Sequence, residues 1–511
     1  MNILDYHALL PELLLAATVL AVLVVDLLPV RKAWTAVVGL VGLFAAFVPL
    51  LTLGLCDSLE FCTESSVRTM FDGSYTVDTF SLVLKGLFIG AAFVALLMSS
   101  GYLESGRFWE GEYYFLMLAS VLGAVVMSSS RGLVTIFVAL ELVTGPTFLL
   151  AGWRKGNAKS NEAALKYFII GVLSASVLLF GMSLVYGITG ELTFTGIREA
   201  IVGSELGAPG FSDLPLLNVG VLFTLLGFAF KISAVPFHFW TPDTYEGAPI
   251  PVTAYLSVVS KAAGFVGLLV LTYSAFADLR HIWGPALWIL AAASMTLGNL
   301  TALRQTNIVR MLGYSSIAQG GFILAPFGAA IAAGVTGAQL EEAFFATVTY
   351  LMIYAFMNLG AFAVIIAGAK RIGSAEISDW GGLYQYAPGL AGLTLVFFFS
   401  LAGIPPFAGW FAKLVMFSSL ISVDNVWTNV LAVIAVVNSV IAFVYYSKVV
   451  KAAWFDAVPE NVLSGEAKSV VIPASLKLAL GITAAGVIAI GFYPPLIAHF
   501  SELTKVFVAG F

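Results

Sequence analysis

Fourteen apolar runs, most of them twenty residues or longer, dominate this chain: 8–28, 34–54, 78–100, 113–130, 132–152, 161–189, 216–240, 251–276, 284–301, 306–335, 341–368, 391–423, 426–447 and 474–497. A helix crossing the hydrocarbon core of a bilayer needs about 20 such residues. Charge points the same way. Asp, Glu, Lys and Arg make up 10% of the 511 residues, where a soluble domain carries roughly 25%. That leaves too little polar surface to cover a globule of this size. The expected fold is therefore all-α, a polytopic integral membrane protein of about fourteen transmembrane helices, with residues 1–511 forming one membrane domain. The first run reads as a span and not a signal peptide, because Met1 to Leu10 holds Asp5 and no Lys or Arg.

An even number of spans puts both termini on one side, and the distribution of basic residues says which. Connections after odd-numbered spans hold thirteen: Arg31, Lys32, Arg107, Arg154, Lys155, Lys159, Arg304, Arg310, Lys370, Arg371, Lys448, Lys451 and Lys468. Connections after even-numbered spans and the termini hold five: Arg68, Arg131, Arg198, Arg280 and Lys505. Both termini are expected outside. The outer segment 55–77 carries the only cysteines, Cys56 and Cys62, as a disulfide loop or as two free thiols.

Several chemistries are excluded. Net charge is −5 and no basic run exceeds two residues, so nucleic acid is not a partner. Two cysteines without a Cys-x-x-Cys spacing cannot hold an iron–sulfur cluster. His238 is the one histidine deep in an apolar run, which rules out a bis-histidine haem. No Gly-x-Gly-x-x-Gly opens a strand–helix unit, so no dinucleotide site is visible. No cofactor is expected in this chain.

What remains is charge in the wrong place. Lys85, Lys166, Lys231, Lys261 and Lys413 interrupt apolar runs, and each unpaired ammonium costs at least about 2.5 kcal/mol at the bilayer centre. Lys85 is near enough to its helix end to snorkel to the headgroups, and Lys166 follows Glu162 by four residues, a local ion-pair spacing. Lys231, Lys261 and Lys413 lie nine or ten residues from the nearer ends, roughly 13 Å or more, beyond a lysine's reach. Glu141 is the one carboxylate at comparable depth and the natural partner for one of them. Polar stripes at helical spacing accompany the lysines: Thr253, Ser257 and Lys261; Ser315 and Gln319; Tyr350, Tyr354 and Asn358. Each stripe alone could be interhelical glue. Together with three deep lysines they suggest a hydrated path.

Two spans also carry prolines. The seventh reads Lys231-Ile232-Ser233-Ala234-Val235-Pro236-Phe237-His238-Phe239-Trp240, and the twelfth Ala402-Gly403-Ile404-Pro405-Pro406-Phe407-Ala408-Gly409-Trp410-Phe411-Ala412-Lys413. Proline frees a carbonyl at membrane depth, which is tolerated where backbone lines a cavity. The spacing suggests a duplication: one five-helix unit over 113–276 and a second, inverted one over 284–447, flanked by 1–100 and 474–511.

These residues resemble the antiporter-like subunits of proton-pumping NADH:quinone oxidoreductase, respiratory complex I. The strongest marks are the two proline segments, Val309-Arg310-Met311-Leu312-Gly313-Tyr314-Ser315-Ser316-Ile317-Ala318 and Met357-Asn358-Leu359-Gly360-Ala361-Phe362. The N type is most similar, since the L type has extra helices and the M type usually has Glu where Lys413 stands. The resemblance implies a proton relay. It pairs Glu141 with Lys231, makes Lys261 the central lysine with His238 between the two, ends the row at Lys413 and adds Lys166 in the sixth helix. It departs at Gln319, where family members often have His. It further implies partners in the membrane and peripheral arms that carry NADH, FMN, iron–sulfur clusters and quinone, and a bacterial plasma membrane. A subunit of a sodium/proton antiporter or a membrane-bound hydrogenase would share fold and lysines. A stand-alone transporter would need a solute pocket, and a scaffold would not need the deep charges.

Overall fold

A computed structural model describes residues 3–29, 31, 33–55, 67–103, 111–203, 214–460, 472–505 and 507. Cys56 and Cys62, with any pairing between them, lie outside the described residues. The chain is almost wholly helical. Its one sheet among these residues is a two-stranded antiparallel hairpin, Arg68–Met70 against Tyr75–Val77, between the second and third spans.

Eleven of the described helices are long and apolar enough to cross a membrane. The other three apolar runs also fold as helix, in shorter pieces. The seventh gives Pro215–Lys231 and then Trp240–Gly247. The tenth gives Ile308–Leu324, tightening into a 3₁₀ run, Ala325–Ile331, that carries Pro326. The twelfth gives Pro388–Ala402 and then Gly409–Ile421.

Two helices form the centre. The eighth, Ile250–Ala275, is enclosed along its length, and the eleventh, Gly337–Ile372, nearly so, whereas the sixth, Ala158–Thr189, turns most of its surface outward. Lys261 and the Tyr350–Tyr354–Asn358 stripe therefore sit in the best-shielded part of the bundle. Small residues let the backbones close up. At Gly181 a Cβ would stand 2.5 Å from the Thr224 nitrogen of the seventh span, and at Gly298 one would stand 2.7 Å from the Ala318 nitrogen of the tenth.

The seventh and twelfth spans break where the prolines fall. In each, a residue with left-handed backbone follows the first helical piece: Ser233 (φ 63) and Gly403 (φ 88). Proline follows three residues later and tryptophan seven residues later, at Pro236 and Trp240 and at Pro406 and Trp410. Backbone groups freed at this depth must find partners. The Val235 N–H donates to Ser294 Oγ (2.9 Å) in the ninth span. The Ala408 N–H donates to the Val487 carbonyl (3.0 Å) in the fourteenth, and Gly409 N–H to Ser400 Oγ (3.1 Å). Neighbouring helices thus hold both breaks open.

Candidate functional site

Lys231 is the last residue of Pro215–Lys231, so the break leaves its side chain aimed into the bundle. Its ammonium donates to Thr144 Oγ1 (2.8 Å) and Tyr167 Oη (3.1 Å). Glu141 lies one turn before Thr144 on the fifth span, Leu133–Ala151, and is half-buried. No ion pair joins Glu141 to Lys231. Both line a cavity of about 10 Å³ shared with Thr144, Ser174 and Phe230, room for about one water.

Lys261 follows a wide π-type turn, Leu256–Ser260, of the eighth span. Such turns are rare and concentrate at functional sites. Its ammonium donates to the Ser316 carbonyl and hydroxyl, both at 2.6 Å. Three residues on, a Cβ at Gly264 would meet Lys231 Cγ at 3.1 Å, so the Lys231 stem packs on the same helix. A Cβ at Gly320 would lie 3.2 Å from the Ile232 carbonyl and 3.8 Å from Lys261 Nζ. The tenth span therefore passes close to both the first break and Lys261.

Ser316 Oγ also accepts from Tyr354 Oη (3.1 Å) and lies 3.3 Å from Tyr245 Oη. Beyond it, Gln319 accepts from Tyr350 (2.7 Å) and donates to Tyr446 Oη (3.2 Å) and the Leu401 carbonyl (3.1 Å). Tyr446 meets Ser315 Oγ at 2.5 Å. Lys413 donates to the next carbonyl, Ala402 (2.6 Å), and sits 5.1 Å from the Phe322 ring centre. Leu401 and Ala402 end the helix Pro388–Ala402, where carbonyls lack helical partners and carry partial negative charge. The second break therefore offers an ammonium a ready acceptor. Lys231, Lys261 and Lys413 are 2%, 1% and 6% exposed, and among the described residues no carboxylate pairs with any of them.

The remaining sequence candidates fall elsewhere. His238 is buried near the first break, with Nδ1 unpartnered and its ring against Phe239 (4.7 Å), and it hydrogen-bonds neither lysine. Lys166 belongs to a half-exposed network at the end of the bundle: it pairs with Glu162 and Asp243 (both 2.6 Å), Arg310 pairs with Asp243 (2.9 Å) and Glu246 (2.8 Å), and Lys159 with Glu246 (2.7 Å). Burial raises the pKa of Asp243 and of Glu246, but their cationic partners outweigh it and hold both below the usual carboxylate values. Thr253 and Ser257 are engaged in glue, donating to the Tyr245 carbonyl (2.9 Å) and accepting from Asn358 (2.7 Å).

Lys85 does not snorkel. It is fully enclosed and pairs with Glu12 at 2.6 Å, and Tyr75 Oη donates to the same carboxylate oxygen (2.7 Å). The hairpin that carries Tyr75 roofs the pair. Glu12 and Lys85 each lie a few residues inside spans entered from the same face, and that shared depth was the overlooked signal.

The family model described as "NADH:quinone oxidoreductase/Mrp antiporter, TM" matches residues 130–442. The chain belongs to that family. Within it, the chain is 43% identical over 456 residues to NADH-quinone oxidoreductase subunit N 2 of Streptomyces griseus, covering 86% of this chain and 81% of that one. A chain in the structure of respiratory complex I from Thermus thermophilus superposes with a TM-score of 0.74 at 28% identity, over 96% of this chain and 98% of that one. A chain of the Mrp complex from Dietzia sp. reaches a TM-score of 0.83 at 18% identity, over 99% and 98%. That last likeness bears on fold alone, so the antiporter-like fold is common to both branches of the family and sequence identity is what separates them.

Proposed function

We infer that this chain is the N-type, proton-translocating membrane-arm subunit of an NADH:quinone oxidoreductase, and that Glu141, Lys231, Lys261 and Lys413 carry protons through it. The observation that carries the reading is the row of three buried lysines that, among the described residues, have no carboxylate partner, with hydroxyls and one amide lying between Lys261 and the second break, where Lys413 is bonded. The identity to an N subunit favours the oxidoreductase over the Mrp branch. NADH, FMN, iron–sulfur clusters and quinone belong to partner subunits of the membrane and peripheral arms. Fourteen crossings would put both termini on one face, and the excess of basic residues in the connections after odd-numbered spans makes that the outer face of a bacterial plasma membrane. Residues 113–276 and 284–447 are read as the inverted repeats.

Two ammonium groups in one low-dielectric site disfavour each other. A proton gained by Lys231 therefore drives one off Lys261, which shares a helix face with its stem. The proton leaves toward Lys413 through Ser316, Tyr354 and water, past Gln319. The lysines titrate as a set. Gln319 cannot titrate, and its role is to fix the Tyr350 and Tyr446 hydroxyls between the two breaks. Lys166 and His238 shape the ends of the row: Lys166 fixes Asp243 at the inner face, and His238 lines the first break.

The test is proton pumping per NADH in membranes with matched assembly. Lys261→Ala abolishes transport through this subunit, and Lys261→Arg, which stays charged, impairs it nearly as much. Full pumping in Lys261→Arg would mean that a fixed charge suffices, and the relay would be withdrawn.

A further inference from the structure

Lys261 reaches the rest of the molecule through one residue. Both hydrogen bonds of its ammonium end on Ser316, and the Ser316 hydroxyl also meets Tyr354 (3.1 Å) and Tyr245 (3.3 Å). The two tyrosines lead in different directions. Tyr245 is on the short helix Trp240–Gly247, beside Glu246 and two residues from Asp243, whose ion pairs to Lys159, Lys166 and Arg310 are half-exposed. Tyr354 is on the eleventh span, one turn from the Tyr350 that donates to Gln319.

A serine hydroxyl has one hydrogen and two lone pairs. With Lys261 charged, the ammonium and Tyr354 occupy both lone pairs, and the single hydrogen is left for Tyr245. With Lys261 neutral, its amine accepts that hydrogen, and the freed lone pair takes the hydrogen of Tyr245. The chain of hydroxyls then points toward Lys261. We propose that Ser316 is a relay residue that converts the charge of Lys261 into the direction of the Tyr245 hydroxyl, so that the lysine loads through Tyr245, from the side of the short helix, only when it is empty.

Loading balances. The Ser316 hydrogen moves to Lys261 Nζ, the Tyr245 hydrogen moves to Ser316, and a hydronium ion, the proton source that this proposal requires at the Tyr245 hydroxyl, returns one to Tyr245 and is left as water. Only Lys261 gains. Once charged, it reverses the chain and closes its own entry, leaving the Tyr354 side as the way onward. The groups around Lys261 are the Lys231 stem across Gly264, Tyr245 and Tyr354 through Ser316, and Tyr350 and Tyr446 around Gln319; no described carboxylate touches it.

The inference rests on Lys261 carrying protons, and the experiment separates the two. NADH-driven pumping is measured in the assembled complex from neutral to alkaline pH for Ser316→Ala, Ser316→Thr, Tyr245→Phe and Lys261→Ala. Ser316→Ala should lose about tenfold in pumping per NADH, and its alkaline limb should move to lower pH because the charged lysine loses an acceptor. Ser316→Thr keeps the hydroxyl and should restore both. Tyr245→Phe should lose pumping with the alkaline limb unmoved. Wild-type pumping and pH profile in Ser316→Ala, or wild-type pumping in Tyr245→Phe, with Lys261→Ala inactive, would overturn the role of Ser316 and leave the relay standing. Pumping that survives in Lys261→Ala would remove the relay itself.

Discussion

Removing one member of a buried ion pair strands the other, and the stranded charge is worth more than the pair. Glu12 and Lys85 are the clearest case in this chain, because the ammonium is fully enclosed and the second carboxylate oxygen has no partner. Lys85→Met should destabilise the subunit by about 3–5 kcal/mol, read as loss of assembled complex or a lower unfolding temperature. The double variant Glu12→Gln, Lys85→Met should recover most of that loss, since neither charge is then left alone. Equal losses in single and double variants would show that packing under the hairpin matters and the charges do not. The same pair marks where residue-level reading failed. Counting residues to a helix end picked out Lys231, Lys261 and Lys413 as deep, and all three are buried. It misjudged Lys85 because depth was measured along one helix, while the partner stands on another. Ser316 escaped notice for a related reason: Ser315 and Gln319 make a stripe, but which of two adjacent serines faces Lys261 depends on how the helices are rotated against each other.

At the scale of elements, the two breaks are alike in backbone and unlike in charge. Asp243 and Lys413 each lie ten residues after the left-handed residue of their own break. The acid is paired in the half-exposed network at the end of the bundle, whereas the lysine is folded back onto the Ala402 carbonyl. One backbone device therefore serves two electrostatic ends. Pro, Phe and Trp at matched spacing made the breaks legible from sequence. Their partners were not legible, because Ser294 and Val487 come from spans far along the chain, and neither was the π-type turn before Lys261, which no residue pattern announces. Gly409 tests how tightly the second break is set. A Cβ there would stand 1.7 Å from the Ser400 carbonyl oxygen, and no backbone atom can yield that far without moving a helix. Gly409→Ala should cost roughly 3 kcal/mol or more and reduce assembled subunit, while Gly389→Ala, where a Cβ meets nothing within 4 Å, should leave assembly unchanged. Normal assembly and pumping in Gly409→Ala would mean that the break is loosely held and its geometry unimportant.

Across the whole molecule, composition made the membrane architecture legible and left the arrangement of helices hidden. The enclosed eighth and eleventh spans are no more apolar than the lipid-facing sixth, because in a bilayer the solvent is as apolar as the core. Hydropathy therefore finds spans without saying which are central, and the deep charges had to mark the centre. The proposed orientation rests on a different physics, the preference of connections rich in basic residues for the inner side, and it decides what the half-exposed Lys166–Asp243–Arg310–Glu246 network would face. Two exposed positions test it. Thr69 lies on the hairpin after the second span, and Lys155 follows the fifth. Three spans separate them, so they must lie on opposite sides. In a background lacking Cys56 and Cys62, Thr69→Cys should react with a membrane-impermeant maleimide in intact cells, and Lys155→Cys only after permeabilisation. Reversal of the two would turn the molecule over, placing the network on the outer face, where Lys261 would load from the wrong side of the membrane for a subunit that exports protons. Labelling of both from one side would instead break the count of spans between them, and with it the inverted relation proposed for residues 113–276 and 284–447.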